Sequence, residues 1–514
     1  MILRLALFAT TLSLAAQAAQ AADPQFADMS ETLPGAHIYD GNWEYYVGGG
    51  VAVFDCNGDN RPDIFAAGGE NPASLWINQI TPDDWAFASA DIEPITAATG
   101  AYPLDIDSDG LLDLMVLRVD ENRLLRGTGD CKFSDFEASL GFTTDDRWST
   151  AFTATWEGDN ALPTLAIGNY VDRADPKGPF EACDDNQLYR PNGETYDTAL
   201  HLTPSFCALS MLFSDWQRNG QADLRVSNDR HYYVRGGSEQ MWDMESLRAL
   251  GPDDGWAAIS IWGMGIASHD ITGDARPDIV LTSMGDQLIQ LTTPNGYEAA
   301  PFSIGAYAHR PFIGDDGRPS TGWHAQFGDI NNDTRADLFI AKGNVDQMPG
   351  NAMKDPNNLL IQNPDRTFRE TADIAGIATT ERSRGGALAD FDRDGRLDLV
   401  VVNRRAPIEL YRNITTGTGN WVGVTLNQPA PNTFAIASWI ELRTQDGSVA
   451  VQEVTIGGGH AGGQHGPAHF GLGPSETAEL RVIWPDGTAS DWTQIPINQY
   501  LSIARDEATT LTFH

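Results

Sequence analysis

A nine-residue pattern recurs through the 514-residue chain, with oxygen-bearing side chains at positions 1, 3, 5 and 9 and an apolar strand directly behind. Its clearest copy is DFDRDGRLD, in which Asp390, Asp392, Asp394 and Asp398 occupy those positions ahead of the run LVVV. Side-chain oxygens at 1, 3 and 5, with a backbone carbonyl near 7, are how a tight loop surrounds a hard cation such as Ca²⁺. The same spacing gives Asp55, Asn57, Asp59 and Asp63 in DCNGDNRPD, then Asp105, Asp107, Asp109 and Asp113 in DIDSDGLLD. It continues with Asp215, Gln217, Asn219 and Asp223 in DWQRNGQAD, and with Asp270, Thr272, Asp274 and Asp278 in DITGDARPD. A further copy holds Asp329, Asn331, Asp333 and Asp337 in DINNDTRAD. The double-length gap between the second and third of these contains TWEGDNALPTLAIGNY, read as a degenerate repeat. There Thr155, Glu157 and Asp159 keep positions 1, 3 and 5 while Pro163 replaces the last acid, so this copy is expected to have lost its ion.

Asp and Asn also favour turns by bonding their own backbone, so a cluster of simple turns is the plain alternative. A turn does not require acids at all these positions, repeated along the chain. The expectation is therefore about five or six structural Ca²⁺ ions, each pinning a turn between two strands. Mg²⁺ fits less well because it demands a near-octahedral shell and gives up water reluctantly. The loop at Asp215, with only two acids, is the weakest of the six.

Each repeat places a Gly-rich or small-residue strand before the loop (GGGVAVF, GMGIASH, RGGALAD) and a β-branched or apolar strand after it (DIFAAGG, DIVLTSM, DLVVVNR). A later strand carries Leu or an aromatic before a turn, as in NNLLIQNPDRTF and IELYRNI. Short strands bounded by Gly, Asn, Asp and Pro, without helical periodicity, indicate an all-β chain. Four strands per unit and seven units predict a closed seven-bladed β-propeller over residues 35–415, since radial repetition leaves few open sheet edges. An open β-solenoid is the competing architecture, but its repeats are usually much shorter.

The GxAxxDxDxDGxxDLxV rhythm followed by NxLYxN resembles the FG-GAP or VCBS repeats of integrin-type propellers. The segments KGNVD, PNNLLIQNPDRTFRE, SRGGALADFDRDGRLDLVVVN and LYRN are similar to those of bacterial relatives of cartilage acidic protein. Those proteins carry a C-terminal ASPIC and UnbV domain after the propeller. The stretches NWVGVTLNQPAPN, AIASWIEL, VQEVTIGGGHAGGQHGPAHFGLG and LRVIWPDGTASDW resemble that domain and assign residues 420–510 to a small β domain. Ala437 and Ser438 depart from the Gly-Ala pair usual there. The resemblance implies an extracellular binding or interaction protein for carbohydrate or protein ligands, with no established common activity.

Composition narrows the partners. With 71 acidic against 33 basic side chains and a formal charge of -38, the surface repels phosphate backbones and anionic lipid, which argues against nucleic-acid and membrane-surface binding. The 14 Trp and 21 Phe supply enough apolar surface to argue against disorder. Residues 1–22, with Arg4, an apolar run and an AQA exit near Ala21, read as a cleaved signal peptide, so the expected location is secreted or periplasmic. No later stretch is long and apolar enough to span a membrane. Export permits disulfides among Cys56, Cys131, Cys183 and Cys207; three pairings are open, and Cys183 with Cys207 is favoured because it closes a short segment. The protein is expected to be a monomer.

His460, His465 and His469 lie in a Gly-rich stretch, but spacings of five and four match no common metal motif, and a structural role is the expectation. GxSxG and HExxH are absent from the sequence. A carbohydrate-active enzyme, a polysaccharide lyase or hydrolase, is the alternative function. It would draw on His231, Tyr232, Tyr233, Arg235, His309, Arg310 and His324, outside the acidic loops, where aromatic and basic groups suit sugar or peptide contacts.

Overall fold

The computed structural model describes residues 22–229, 237–285, 287–294, 296–307, 318–505 and 512–513. The proposed signal peptide lies outside them except for residue 22, as do His231, Tyr232, Tyr233, Arg235, His309 and Arg310.

The described chain is all-β apart from single turns of helix such as Ala372–Ala375. It lays down one antiparallel meander after another, each opening on a strand that is buried for most of its length. These opening strands are Val51–Phe54, Ala98–Leu104, Arg147–Thr155, Ala208–Ser214, Gly263–His269, Gly322–Gly328 and Arg382–Ala389. Each pairs with the strand that follows its acidic loop, and the register is fixed: Phe54 faces Asp63, Leu104 faces Asp113, and Ala389 faces Asp398. The ninth-position acid is thus the first residue of the second strand, where the turn ends and the ladder begins.

Neighbouring meanders are stitched along their opening strands. The Gly50 N–H donates to the Thr99 carbonyl at 3.0 Å. Thr99 Oγ1 donates to the Ser149 carbonyl at 2.6 Å, and Thr150 Oγ1 to that of Ala208 at 2.7 Å. Thr282 Oγ1 reaches the Trp323 carbonyl, and the Leu388 N–H donates to Gln326 Oε1 at 2.8 Å. The Gly385 N–H donates to the Gly49 carbonyl at 3.1 Å, which returns the series to the first meander. Serial antiparallel meanders packed side by side are the arrangement of a β-propeller. The N-terminal strand Phe26–Asp28, ahead of the expected start at 35, pairs with Glu409–Asn413 as the outer strand of the last meander.

The C-terminal part forms two sheets around Val422, Val424, Ile440, Leu442, Phe470, Leu480 and Ile503. One contains Asn420–Asn427, Ala468–Gly473 and Gln499–Ala504; the other contains Trp439–Thr444, Val449–Glu453, Ala478–Ile483 and Thr493–Ile495. Between Val449–Glu453 and Ala468–Gly473 the chain leaves these sheets and runs along the propeller's opening strands. The Gly458 N–H donates to the Met211 carbonyl at 2.7 Å, Gly459 to Ile266 at 2.6 Å, and Gly463 to Ala101 at 3.0 Å. His460 is fully buried, and its Nε2 accepts from the Gly48 N–H at 3.1 Å. One short segment therefore binds first, second, fourth and fifth meanders at once. The approach is close enough to require glycine: a Cβ on Gly100 would meet the Ala461 carbonyl oxygen at 1.5 Å, and one on Gly50 at 1.9 Å.

Two disulfides are present. Cys183 bonds Cys207, as the short spacing suggests, and Cys56 bonds Cys131, joining the first acidic loop to the second meander.

Candidate metal centres

The acidic loops repeat in detail. The first-position Asp accepts the N–H groups of positions 5 and 6: Asp390 takes those of Asp394 at 3.0 Å and Gly395 at 2.7 Å. Asp105 does the same for Asp109 and Gly110, and Asp215 for Asn219 and Gly220. Positions 4 and 6 adopt the left-handed region throughout, as with Arg393 and Gly395, Ser108 and Gly110, and Gly273 and Ala275. The ninth-position Asp is a clamp between loop and sheet. Asp398 accepts from the Phe391 N–H at 2.9 Å and from the Asn413 N–H, on the third strand, at 2.8 Å. Asp63, Asp113, Asp278 and Asp337 repeat this double acceptance.

Position 3 behaves differently. Asp107 Oδ1, Asn331 Oδ1 and Asp392 Oδ1 are buried and have no hydrogen-bond partner. Buried oxygens without a partner are costly, so three of them at equivalent loop positions point to a group that the turn itself does not supply. Oxygens of Asp105, Asp107 and Asp113 lie within 4.8 Å of one another, as do those of Asp390, Asp392 and Asp398. Arg126 Nη2 stands 2.7 Å from Asp107 Oδ2, and Arg412 Nη2 stands 2.7 Å from Asp392 Oδ2, each at the edge of its cluster. The clusters at 105 and 390 thus bring together carboxylate oxygens of the kind a hard divalent cation takes. In the loops at 55 and 215 the third-position amide instead bonds the fifth residue, Asn57 to Asp59 and Asn219 to Gln217. At 270, Thr272 Oγ1 donates to Asp270 Oδ1 at 3.4 Å. The grouping of Cys56 and Cys131 with Asp63 offers no thiolate, because the two cysteines are joined.

Burial, and then neighbouring carboxylates, push these acids up: Asp113 to about 8, Asp390 and Asp278 to about 7, and Asp398 well above the ordinary carboxylate value. A bound cation would reverse that trend by favouring the ionised form.

The degenerate repeat requires a correction. Thr155 pairs with Thr164, so Thr155 is the last residue of its strand and corresponds to Phe54 rather than to Asp55. Positions 1, 3, 5 and 9 are therefore Trp156, Gly158, Asn160 and Thr164, with no carboxylate among them. Glu157 points to Arg190 instead, at 3.0 Å.

The C-terminal sheets stand on these loops. Thr433 Oγ1 donates to Asp105, and the Tyr500 hydroxyl donates to Asp390. The Asp215 N–H donates to Glu453 Oε1 at 2.7 Å, and His469 Nε2 bonds Asn332 Oδ1 at 2.7 Å. His460, His465 and His469 take different neighbours: the propeller interior, the Phe434 ring and Asn332. His324 is buried on the opening strand Gly322–Gly328, and its Nδ1 accepts from the His460 N–H of the glycine segment. These C-terminal contacts carry no signal in the sequence, because nothing in the local pattern of Thr433 or Tyr500 announces a distant carboxylate.

The ASPIC and UnbV family model matches residues 428–510, and the FG-GAP-like repeat model matches residues 55–116 and 329–401. Cartilage acidic protein 1 of Xenopus tropicalis is 24% identical over 527 residues, covering 91% of this chain and 75% of that protein. The Homo sapiens protein of the same name is 26% identical over 162 residues, 31% of this chain and 24% of that one. Among solved structures, the BP39L lectin from Burkholderia pseudomallei aligns with a TM-score of 0.46 at 9% identity, covering 72% of this chain and 97% of that chain. The chain carries FG-GAP-like repeats followed by a C-terminal ASPIC and UnbV domain, and along most of its length it is similar to cartilage acidic protein 1.

Proposed function

We propose that this protein is an extracellular binding module, a seven-bladed propeller whose acidic loops hold structural Ca²⁺ and whose C-terminal domain is seated on those loops. The observation that carries the calcium reading is the buried, unpartnered third-position oxygen at Asp107, Asn331 and Asp392. The loops at 105, 329 and 390 are the strongest sites; those at 55, 215 and 270 have already used their third residue locally. The bonds between neighbouring meanders, with Gly385 on the seventh donating to Gly49 beside the first, support a closed ring of seven. Two disulfides, and similarity to cartilage acidic protein 1, support an oxidising, extracellular setting. Among the described residues no helix is long and apolar enough to cross a membrane.

In this reading Ca²⁺ supplies charge neutralisation and geometry. It lets carboxylates that burial would protonate stay ionised, and so fixes the turn that feeds each second strand. The ligand is an extracellular carbohydrate or protein, and the module acts as a monomer. Glycan and peptide arrays probed with and without Ca²⁺ test this. Binding that disappears with chelator supports it, and arrays blank in both conditions would remove the binding reading.

A further inference from the structure

The sixth meander sets an amine, an amide and a carboxyl side by side on three consecutive strands. Lys342 ends the strand Asp337–Lys342, Asn358 opens Asn358–Gln362, and Glu370 ends Phe368–Glu370. The register pairs Ile340 with Asn358 and Leu360 with Glu370, which brings all three to the same end of the sheet.

Lys342 is fully buried, and its Nζ donates to Asn358 Oδ1 at 2.9 Å. Asp355, also buried, lies 3.5 Å from Nζ; its Oδ1 accepts from the Ser320 hydroxyl at 2.7 Å and its Oδ2 from the Thr321 N–H at 2.6 Å. On the far side of the amide, Asn358 Nδ2 donates to Glu370 Oε2. Glu370 Oε1 accepts from the N–H groups of Leu359 at 3.1 Å and Ala372 at 2.8 Å, so Oε2 is the oxygen turned to the amide.

A structural ion pair would bring Lys342 closest to its carboxylate, but Nζ is nearer to the neutral amide, 2.9 against 3.5 Å. A carbonyl bond is about 1.2 Å long, so Nζ lies no more than about 4.1 Å from Asn358 Cγ. A shift of under about 1 Å reaches the separation of a near-attack arrangement. Burial pushes the Glu370 carboxyl up to about 7, so near neutral pH it can both give a proton and take one. An ammonium held out of water is costly, and turning it into an amide removes that charge from the interior.

We propose that Lys342 and Asn358 join in an intramolecular isopeptide bond, Nζ to Cγ, with loss of ammonia. Asp355 takes a proton from the Lys342 ammonium, and the freed lone pair attacks Cγ while the carbonyl electrons move onto Oδ1. Nδ2, now an amine nitrogen, takes the Glu370 proton. The carbonyl re-forms, the Cγ–Nδ2 bond breaks, and its electron pair leaves with the nitrogen as ammonia. The surplus Nζ proton passes to the Glu370 carboxylate, and the proton held by Asp355 departs with the ammonia as ammonium. No oxidant or cofactor is consumed. The bond ties the second strand to the third across the connection 343–357, and it stands apart from the calcium and binding readings.

The test is intact-mass spectrometry of the full mature protein after reduction of its disulfides, followed by tryptic digestion of the denatured chain. The expected mass is one ammonia, about 17 Da, below that of the unmodified sequence. Trypsin should fail to cut after Lys342, and peptide 336–354 should emerge joined to 355–366. Glu370→Gln keeps the side-chain shape and removes the titratable proton, so its cross-linking during incubation at pH 7 should be about 100-fold or more slower. A wild type at unreduced mass would overturn the proposal, and this decides the matter even if Glu370→Gln does not fold. An ammonia loss that leaves the two peptides separate, as a succinimide elsewhere would, also overturns it. A folded Glu370→Gln protein that cross-links as fast as the wild type would overturn the proton transfer through Glu370.

Discussion

The hydroxyl of Tyr500, on strand Gln499–Ala504, donates to Asp390 Oδ2, so the C-terminal domain holds the first carboxylate of the acidic loop at 390–398. Thr433 repeats the contact on Asp105. The two halves of the protein are thereby joined at candidate ion sites as well as along the glycine segment.

Tyr500→Phe isolates that hydroxyl, because the ring contacts with Arg393, 4.1 Å from the ring centroid, and with Trp421 remain. Hydrogen bonds to charged groups contribute about 1.5–3 kcal/mol, so urea unfolding at pH 8 should show a loss of about that size. An unchanged midpoint would mean that Tyr500 contributes nothing to holding the domain.

Gly100→Ala should strongly destabilise the protein. Gly100 does not lie in the left-handed region, so the effect is steric: the added methyl meets the Ala461 carbonyl at 1.5 Å and must displace the buried segment, at a cost of about 1–3 kcal/mol or more. Gly350→Ala is the control, with nothing within 4 Å of the added atom. Thermal melts should separate the two by several degrees, and equal melts would contradict the packing of the glycine segment.

Asp392→Ala and Asp107→Ala, which remove the third-position oxygen altogether, should each reduce the calcium bound by one ion, read by metal analysis after dialysis. Glu157→Gln should leave it unchanged, since Glu157 pairs with Arg190 outside any carboxylate cluster. Loss of an ion with Glu157→Gln would restore the unshifted frame of the degenerate repeat.

Stability should depend on pH in opposite directions at two places. Asp113, raised to about 8, and Asp390 and Asp278, raised to about 7, favour folding below the unfolded carboxylate value and lose that contribution as pH rises through 7 to 8. Metal-free protein should therefore weaken between about pH 5 and pH 8, and Ca²⁺ should abolish the decline. His460, lowered to about 3, and His324, lowered to about 4, act the other way. Burial keeps them neutral, so stability present above 6.5 is lost as pH falls toward 4. Denaturant midpoints across this range, with and without chelator, check both signs.

The repeats were legible because register and chemistry coincide: the acid at position 9 opens the second strand at Asp63, Asp113 and Asp398. The degenerate loop misled because Thr155, Glu157 and Asp159 alternate like the true ligands, and only the pairing of Thr155 with Thr164 shows that they are one residue out of step. Gly50 reads from the sequence as one of the glycines of the strand GGGVAVF, and Gly100 has no distinguishing local pattern. Their reason is the distant Ala461 carbonyl, which local pattern does not encode. The strand Phe26–Asp28 leaves no signal in the sequence because three residues carry no periodicity, and its partner Glu409–Asn413 is far along the chain.

The most direct measurement is the thermal midpoint of the mature protein before and after chelation, paired with metal analysis. If the sites have the affinity of extracellular modules, about 0.1–1 mM, then millimolar Ca²⁺ adds about 0.4–1.4 kcal/mol per site, and several sites should raise the midpoint by several degrees. The account predicts that rise, with at least the loops at 105, 329 and 390 loaded. A protein that carries no calcium and melts identically with and without chelator would contradict it.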